Sequence, residues 1–196
     1  MNRDKFDDDF SRFSLSEIIK NSVSNNKIKK LLQTFICNKN IDLQDFLHNK
    51  ALVFEKNLRS RTYLYIDNNR KNVVAYFTIA INTLYTDDIS SKVIKLLDGY
   101  RDDTKSIPCF LIGQLGKSNL YKDIKIGQFI IEDAIEIIDN SQISLGGRFI
   151  LLDSINIKKV ISFYENNLFF AIENDQELDS IKMIKPYFIE HYLTQC

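Results

Sequence analysis

Residues 107–116 read IPCFLIGQLG, nearly continuous in apolar side chains and bounded by the polar run RDDTKS before it and KSN after it. A run this short, apolar at successive positions, is a strand buried on both faces of a sheet. Beyond the loop KSNLYKDIKIG, residues Ile130, Ile131, Ala134, Ile135, Ile137 and Ile138 form a wide apolar stripe on a helix opening at Gly127, about three to four turns long. Strand, loop and amphipathic helix confine the chain to an α/β architecture. They also set a helix start, where outward amides and the helix dipole favour negative charge, beside the cations Lys117, Lys122 and Lys125. Phosphate-cradling loops are usually glycine-rich, because a side chain crowds the approach of backbone to ligand. Here Asp123 and Lys125 stand where glycines are expected.

The remaining periods fit the same class. NKIKKLLQTFIC and NIDLQDFLHNKALVFEKN have helical spacing, with Asp42 as the expected N-cap of the second. RTYLYID and NVVAYFTIAINTLY are rich in β-branched and aromatic residues and flank the turn-like DNNRKN, which predicts an antiparallel hairpin. DISSKVIKLLDGY predicts a helix ending near Gly99, RFILLDSI a buried strand, NIKKVISFYENN a helix, and LFFAIE and YFIEHYL two closing strands. FSRFSLSEI alternates in part and is expected as a first strand. SLGGRF precedes a strand and does not lead into a helix, so its glycines predict a tight turn and not a phosphate loop. The expected fold is a mixed, mostly antiparallel central sheet flanked by helices on both faces.

Length decides the domain count: 196 residues suffice for one domain with a substantial core. We expect a flexible acidic leader over 1–11 and a single domain over 12–196. The 26 basic and 26 acidic residues cancel, which excludes a surface wholly committed to nucleic acid but leaves room for local basic patches at NKIKK, RSR and NNRK. Solvated helix faces and turns are the better account of any one of those patches. Cys37, Cys109 and Cys196 are odd in number and lack CxxC spacing, so reduced thiols are expected, with neither a disulfide framework nor a metal site. No run approaches the roughly 18 apolar residues of a membrane span, and MNRDKFDDDF lacks a signal-peptide core. The expected location is the cytoplasm, with no membrane partner.

Three pieces of the chain together resemble the GNAT family of acetyl-CoA-dependent N-acetyltransferases: PCFLIGQLGK, YKDIKIGQFIIEDAIEII, and GGRFILLDSINIKKVISFYENNLFF with its FYE. FICNKNIDLQDFLHNKAL, followed by the paired strands RTYLYID and NVVAYFTIAI, is similar to the toxin-type branch. The likeness covers residues 28–172. The family loop, [QR]-x-x-G-x-[GA], places its leading residue at Lys122 and its first glycine at Lys125, so Gly127 is the match that holds well.

The resemblance implies that backbone at Leu115, Gly116 and Lys117 receives the pantetheine arm. It implies that Lys122, Asp123, Ile124, Lys125, Ile126, Gly127 and Gln128 take the pyrophosphate, with Asn156 against pantetheine. It implies Tyr164 as the proton donor to the departing thiolate, a role suited to a phenol whose pKa near 10 keeps it protonated at neutral pH. A helix-face aromatic is the alternative for Tyr164. His48 and His191 have no motif around them, and no general base is assigned. The implied acceptor is a primary amine, in the toxin branch the α-amino group of an aminoacyl-tRNA. The implied partners are tRNA, an antitoxin protein and a second copy in a homodimer. An acetyltransferase of proteins or small amines, and a non-catalytic GNAT-fold binding module, stand as alternatives.

Overall fold

The computed structural model describes residues 1–22, 24–172 and 179–187. Helix α1 (Arg3–Asp9) opens at Asn2, whose side chain accepts from the Lys5 amide, and its Phe6 is fully buried. The expectation of a frayed leader is therefore corrected: burial of one phenylalanine, worth about 1.5–3 kcal/mol, fixes an otherwise acidic segment. Strand β1 (Phe10–Ser14) stops where Ser14 and Glu17 close a capping box and start α2 (Leu15–Asn21). The first strand is thus shorter than the alternation suggests.

Ser24 caps α3 (Asn25–Leu32), and Asn40 caps α4 (Ile41–Asp45) by accepting from the Leu43 amide. Asn40 takes the role expected of Asp42, which lies in the helix's first turn, where its charge suits the dipole. A π-helical turn, Phe46–Lys50, leads into α5 (Ala51–Lys56).

The hairpin of β2 (Arg61–Asp67) and β3 (Val73–Tyr85) is antiparallel as expected, and β1 pairs antiparallel with β2. Helix α6 (Ser91–Asp98) ends at Gly99, where φ is +83°. A Cβ there would lie 2.5 Å from the guanidinium carbon of Arg148, which donates to the carbonyls of Leu97 and Leu96 at the helix end. Only glycine meets both demands.

Strand β4 (Ser106–Lys117) is followed by a 3-10 turn at Asn119–Tyr121 and by α7 (Gly127–Leu145). At 19 residues α7 exceeds the expected length. It ends at Gly146, whose amide donates to the Gln142 carbonyl with φ +73°, so GGR is a turn. Then come β5 (Phe149–Ile155), α8 (Lys158–Glu165), β6 (Phe170–Ala171) and β7 (Ser180–Pro186). Among the described residues of LFFAIE, strand is confined to the two residues of β6. YFIEHYL lies outside the described residues except for Tyr187. The closing strand is instead SIKMIKP, paired antiparallel with all of β5.

Among the described residues one seven-stranded sheet runs β1-β2-β3-β4-β5-β7-β6. It is mixed and mostly antiparallel, with β4 and β5 parallel at Phe110–Ile150 and Leu111–Leu151. The chain divides into two compact units, one of residues 1–80 and 113–136, the other of 81–112 and the described residues after 136. A core of the first gathers Leu15, Ile28, Leu32, Phe35, Leu47 and Tyr76 among others; a core of the second gathers Leu84, Ile94, Leu97, Phe149 and Leu151.

Candidate active site

The loop between β4 and α7 lies wholly in the first unit and is fixed at three points. At its start the Ser118 amide donates to the Val74 carbonyl (2.8 Å) and the Asn119 amide to the Ile36 carbonyl (2.7 Å). In return the Ile36 amide donates to Ser118 Oγ, and the Asn38 amide to Asn119 Oδ1 at 2.7 Å. The segment between α3 and α4 is thus stitched to the loop. His48 secures that segment from behind: its Nε2 bonds the Phe35 carbonyl oxygen at 2.8 Å, and a carbonyl only accepts, so Nε2 carries the proton.

In the loop's middle Tyr121 is buried. Its hydroxyl donates to Asp67 Oδ2 (2.8 Å), and its ring meets Phe10 edge-on at 5.8 Å. Burial raises the Asp67 pKa, but the amides of Arg70 and Asn69 and the Tyr121 hydroxyl outweigh it and hold the carboxyl below its usual range. The turn of the hairpin and the loop are therefore one hydrogen-bonded piece.

Lys117 does not extend toward solvent. Its Nζ donates to the carbonyls of Lys122 (3.1 Å) and Ile124 (2.6 Å). Every peptide bond here is trans, and in a trans peptide plane the carbonyl of one residue and the amide of the next point in opposite directions. The ammonium therefore turns the amides of Asp123 and Lys125 away from itself. Lys122, Asp123, Lys125 and Gln128 are exposed, Leu115, Ile124 and Gly127 half-buried, and Ile126 fully buried as the anchor of the helix start. The Gln128 amide nitrogen donates to Glu132 Oε1 along α7. Gly116 is buried, and a Cβ there would lie 3.0 Å from Leu43 Cδ1; its small size seats α4 on the strand.

Asp123 and Ile124 line a cleft of about 420 Å³ together with Asp9, Asp67, Asn69, Arg70, Leu120 and Tyr121. Of the loop residues expected from the sequence, Asp123 and Ile124 line this cleft; Ser118, Asn119 and Tyr121, which anchor the loop, are residues that sequence reasoning missed. A serine two residues before Leu120, whose Oγ accepts that amide, was the available signal, a local turn motif.

Tyr164 and Asn156 belong to the second unit. Tyr164 is 8% exposed, with its ring edge-on to Phe163 and Phe169 at 5.2 and 5.9 Å. Burial pushes its phenol up to about 12, and among the described residues its hydroxyl has no hydrogen-bond partner. The Asn156 amide donates to the Asp179 carbonyl, tying the end of β5 to the segment before β7. His191 lies outside the described residues. Among those residues no three His, Cys, Asp or Glu side chains gather to hold a metal, and no helix is long and apolar enough to cross a membrane.

This mixed, mostly antiparallel sheet, with a loop and a long helix after its fourth strand, is the fold of the toxin-type GNAT acetyltransferases. Among solved structures the chain is similar to AtaT complexed with acetyl-methionyl-tRNAfMet, at TM-score 0.69 and 17% identity, covering 96% of this chain and 100% of that one. It is similar to a structure described only as a bacterial toxin, at TM-score 0.70 and 17% identity over 95% and 94%. It is also similar to a tyrosine-to-phenylalanine variant of KacT, at TM-score 0.68 and 12% identity over 94% and 99%. No family model and no curated protein sequence matches the chain.

Proposed function

We propose that the chain is an acetyl-CoA-dependent N-acetyltransferase formed as a single GNAT-like domain. The observation that carries this reading is the loop closed by Lys117, which turns the amides of Asp123 and Lys125 away from its ammonium and leads into the start of α7. Those amides, the first amides of α7 and the exposed Lys122 and Lys125 suit a pyrophosphate. A tyrosine-to-phenylalanine variant of AtaT, similar in fold, has been solved bound to the C-terminus of the antitoxin AtaR and acetyl-CoA, which supports the same ligand here. Asp123 fits because it borders the acidic cleft and its backbone, not its carboxylate, serves the ligand.

Acetyl-CoA supplies an activated acyl carbon. The chain's part is to hold it, admit a neutral amine, and return a proton to the sulfur as the carbon–sulfur bond breaks. Tyr164 takes the last role. A buried phenol near 12 stays protonated at neutral pH, and its hydroxyl is uncommitted. It is a weaker acid than a thiol of about 8.5, so it donates a hydrogen bond to the departing thiolate and passes its proton on as the amine gives one up. The amine's proton completes the balance.

The acceptor we propose is the α-amino group of an aminoacyl-tRNA, in the cytoplasm, with an antitoxin as protein partner. The AtaT structures with acetyl-methionyl-tRNA and with the antitoxin AtaR support this. So does the stretch 18–41, which holds Lys20, Lys27, Lys29, Lys30 and Lys39 and no carboxylate in an otherwise neutral chain. Lys27, Lys29 and Lys30 stand exposed on α3, a face suited to phosphates. A small cationic amine is the second reading, favoured by the cleft with Asp9, Asp67 and Asp123.

Incubation with labelled acetyl-CoA, charged tRNA and a polyamine decides between them. Label in the aminoacyl-tRNA fraction is expected; label in the polyamine alone selects the second reading. No binding of acetyl-CoA at millimolar concentration in a calorimeter would sink both and leave a binding module.

A further inference from the structure

Asp133 is out of place by burial: its side chain is 3% exposed, whereas Glu132 and Glu136 on the same helix face solvent. Three groups from three elements converge on it, all in the first unit. Arg3 Nη1 of α1 donates to Oδ1 at 2.6 Å. Tyr65 of β2 donates its hydroxyl to Oδ2 at 2.5 Å, and Arg12 Nη1 of β1 lies 3.0 Å from the same oxygen. One turn earlier on α7, the Phe129 ring stacks at a tilt on Phe6 at 4.9 Å, and the Arg3 guanidinium sits over both rings.

The residues that receive α1 are therefore Phe129 and Asp133, at i and i+4 on the first two turns of the helix that opens at Gly127. The loop residue Tyr121 packs on Phe10, so the N-terminal segment touches both the loop and the helix that follows it. A buried carboxylate whose cations all withdraw is left with an uncompensated charge, which the interior disfavours. The carboxylate thus fixes where α1 and β1 stand relative to the helix start.

We propose that Asp133 is a positioning residue for acetyl-CoA binding, through which Arg3 and Arg12 hold the start of α7, so that docking of α1 and occupancy of the loop reinforce each other. This rests on the acetyl-CoA reading above. Coupling between two such sites is reciprocal: if docked α1 improves the affinity, bound acetyl-CoA tightens α1 by the same factor.

The test uses the full chain, with acetyl-CoA as probe. Arg3→Met removes one partner at a residue half open to solvent, which spares the fold. Its acetyl-CoA Kd by calorimetry is expected to rise about tenfold, within the usual 5–150-fold span of coupling, with kcat at saturating acetyl-CoA within about twofold and Arg3→Lys recovering part of the affinity. In the wild-type chain, acetyl-CoA slows hydrogen exchange at the amides of α1. An unchanged Kd in Arg3→Met, with a lower melting temperature only, makes Asp133 merely structural and overturns the coupling while leaving the function intact. Unaltered exchange in α1 on binding does the same. Absence of acetyl-CoA binding to the wild type overturns both.

Discussion

Lys117 turns its ammonium back onto its own loop, with Nζ 2.6 Å from the carbonyl oxygen of Ile124. The cation is spent on shape before any ligand arrives. Lys117→Met should free the Lys122 and Ile124 carbonyls to reorient. The acetyl-CoA Kd is expected to rise about tenfold, or about 1.4 kcal/mol, and hydrogen exchange at Asp123 and Lys125 to quicken without ligand. A loss of affinity with unaltered exchange would mean that Lys117 meets the phosphates directly.

Asp123 lines the cleft beside Asp9 and Asp67. If its backbone alone serves the ligand, Asp123→Asn keeps the loop and removes only a distant-acting charge. Affinity for acetyl-CoA should tighten by less than about threefold in dilute buffer and be unchanged in 0.15 M salt, where charges are screened beyond about 8 Å. Weaker binding in the variant would show that the carboxylate itself holds part of the loop or the ligand.

Tyr164→Phe keeps the ring between Phe163 and Phe169 and removes a hydroxyl that has no partner among the described residues. Turnover should fall by about 10²–10³, the scale of one proton-transfer group, with acetyl-CoA affinity and melting temperature nearly unchanged. Equal loss of kcat and affinity would assign the tyrosine a structural part.

Burial, with the Asp133 carboxylate adding to it, raises the Tyr65 phenol above its ordinary value. In the unfolded chain that phenol ionises above about pH 10, while the folded one keeps its proton. The stabilisation is therefore complete below pH 10 and declines as pH rises toward the folded value, by about 1.4 kcal/mol per pH unit for this group. Urea midpoints measured from pH 9 to 11.5 should fall, and Tyr65→Phe should fall less steeply from a lower starting stability. Parallel slopes would show that the folded phenol ionises freely.

Much of this fold is visible in the sequence because burial imposes a period on it. The hairpin, β4, β5 and α7 each carry a long apolar signal. Helix α1 does not: its hold is one phenylalanine among acids, and a single residue has no period. Strand β7 was hidden by lysines alternating with Ile181, Met183 and Ile184, a pattern too short to separate from a helix end. In the site, Gly127 was legible as a helix start. The return of Lys117 onto its loop was not, because a long flexible side chain takes its direction from carbonyls that only the folded loop provides. Asn40 displaced Asp42 as the cap for a similar reason, since two neighbouring residues of like chemistry compete and tertiary context chooses.

The stitch between Ile36 and Ser118 joins residues 82 apart in sequence. Ribosomes add roughly 5–20 residues per second, so on the order of 4–16 s separates the synthesis of its two halves. Through that interval the Phe35–Asn40 segment waits without its partners, and any chain released early carries no loop at all. The distance along the chain thus acts as a clock: the loop proposed to hold the nucleotide-bearing thioester is anchored only after more than half the polypeptide has been made.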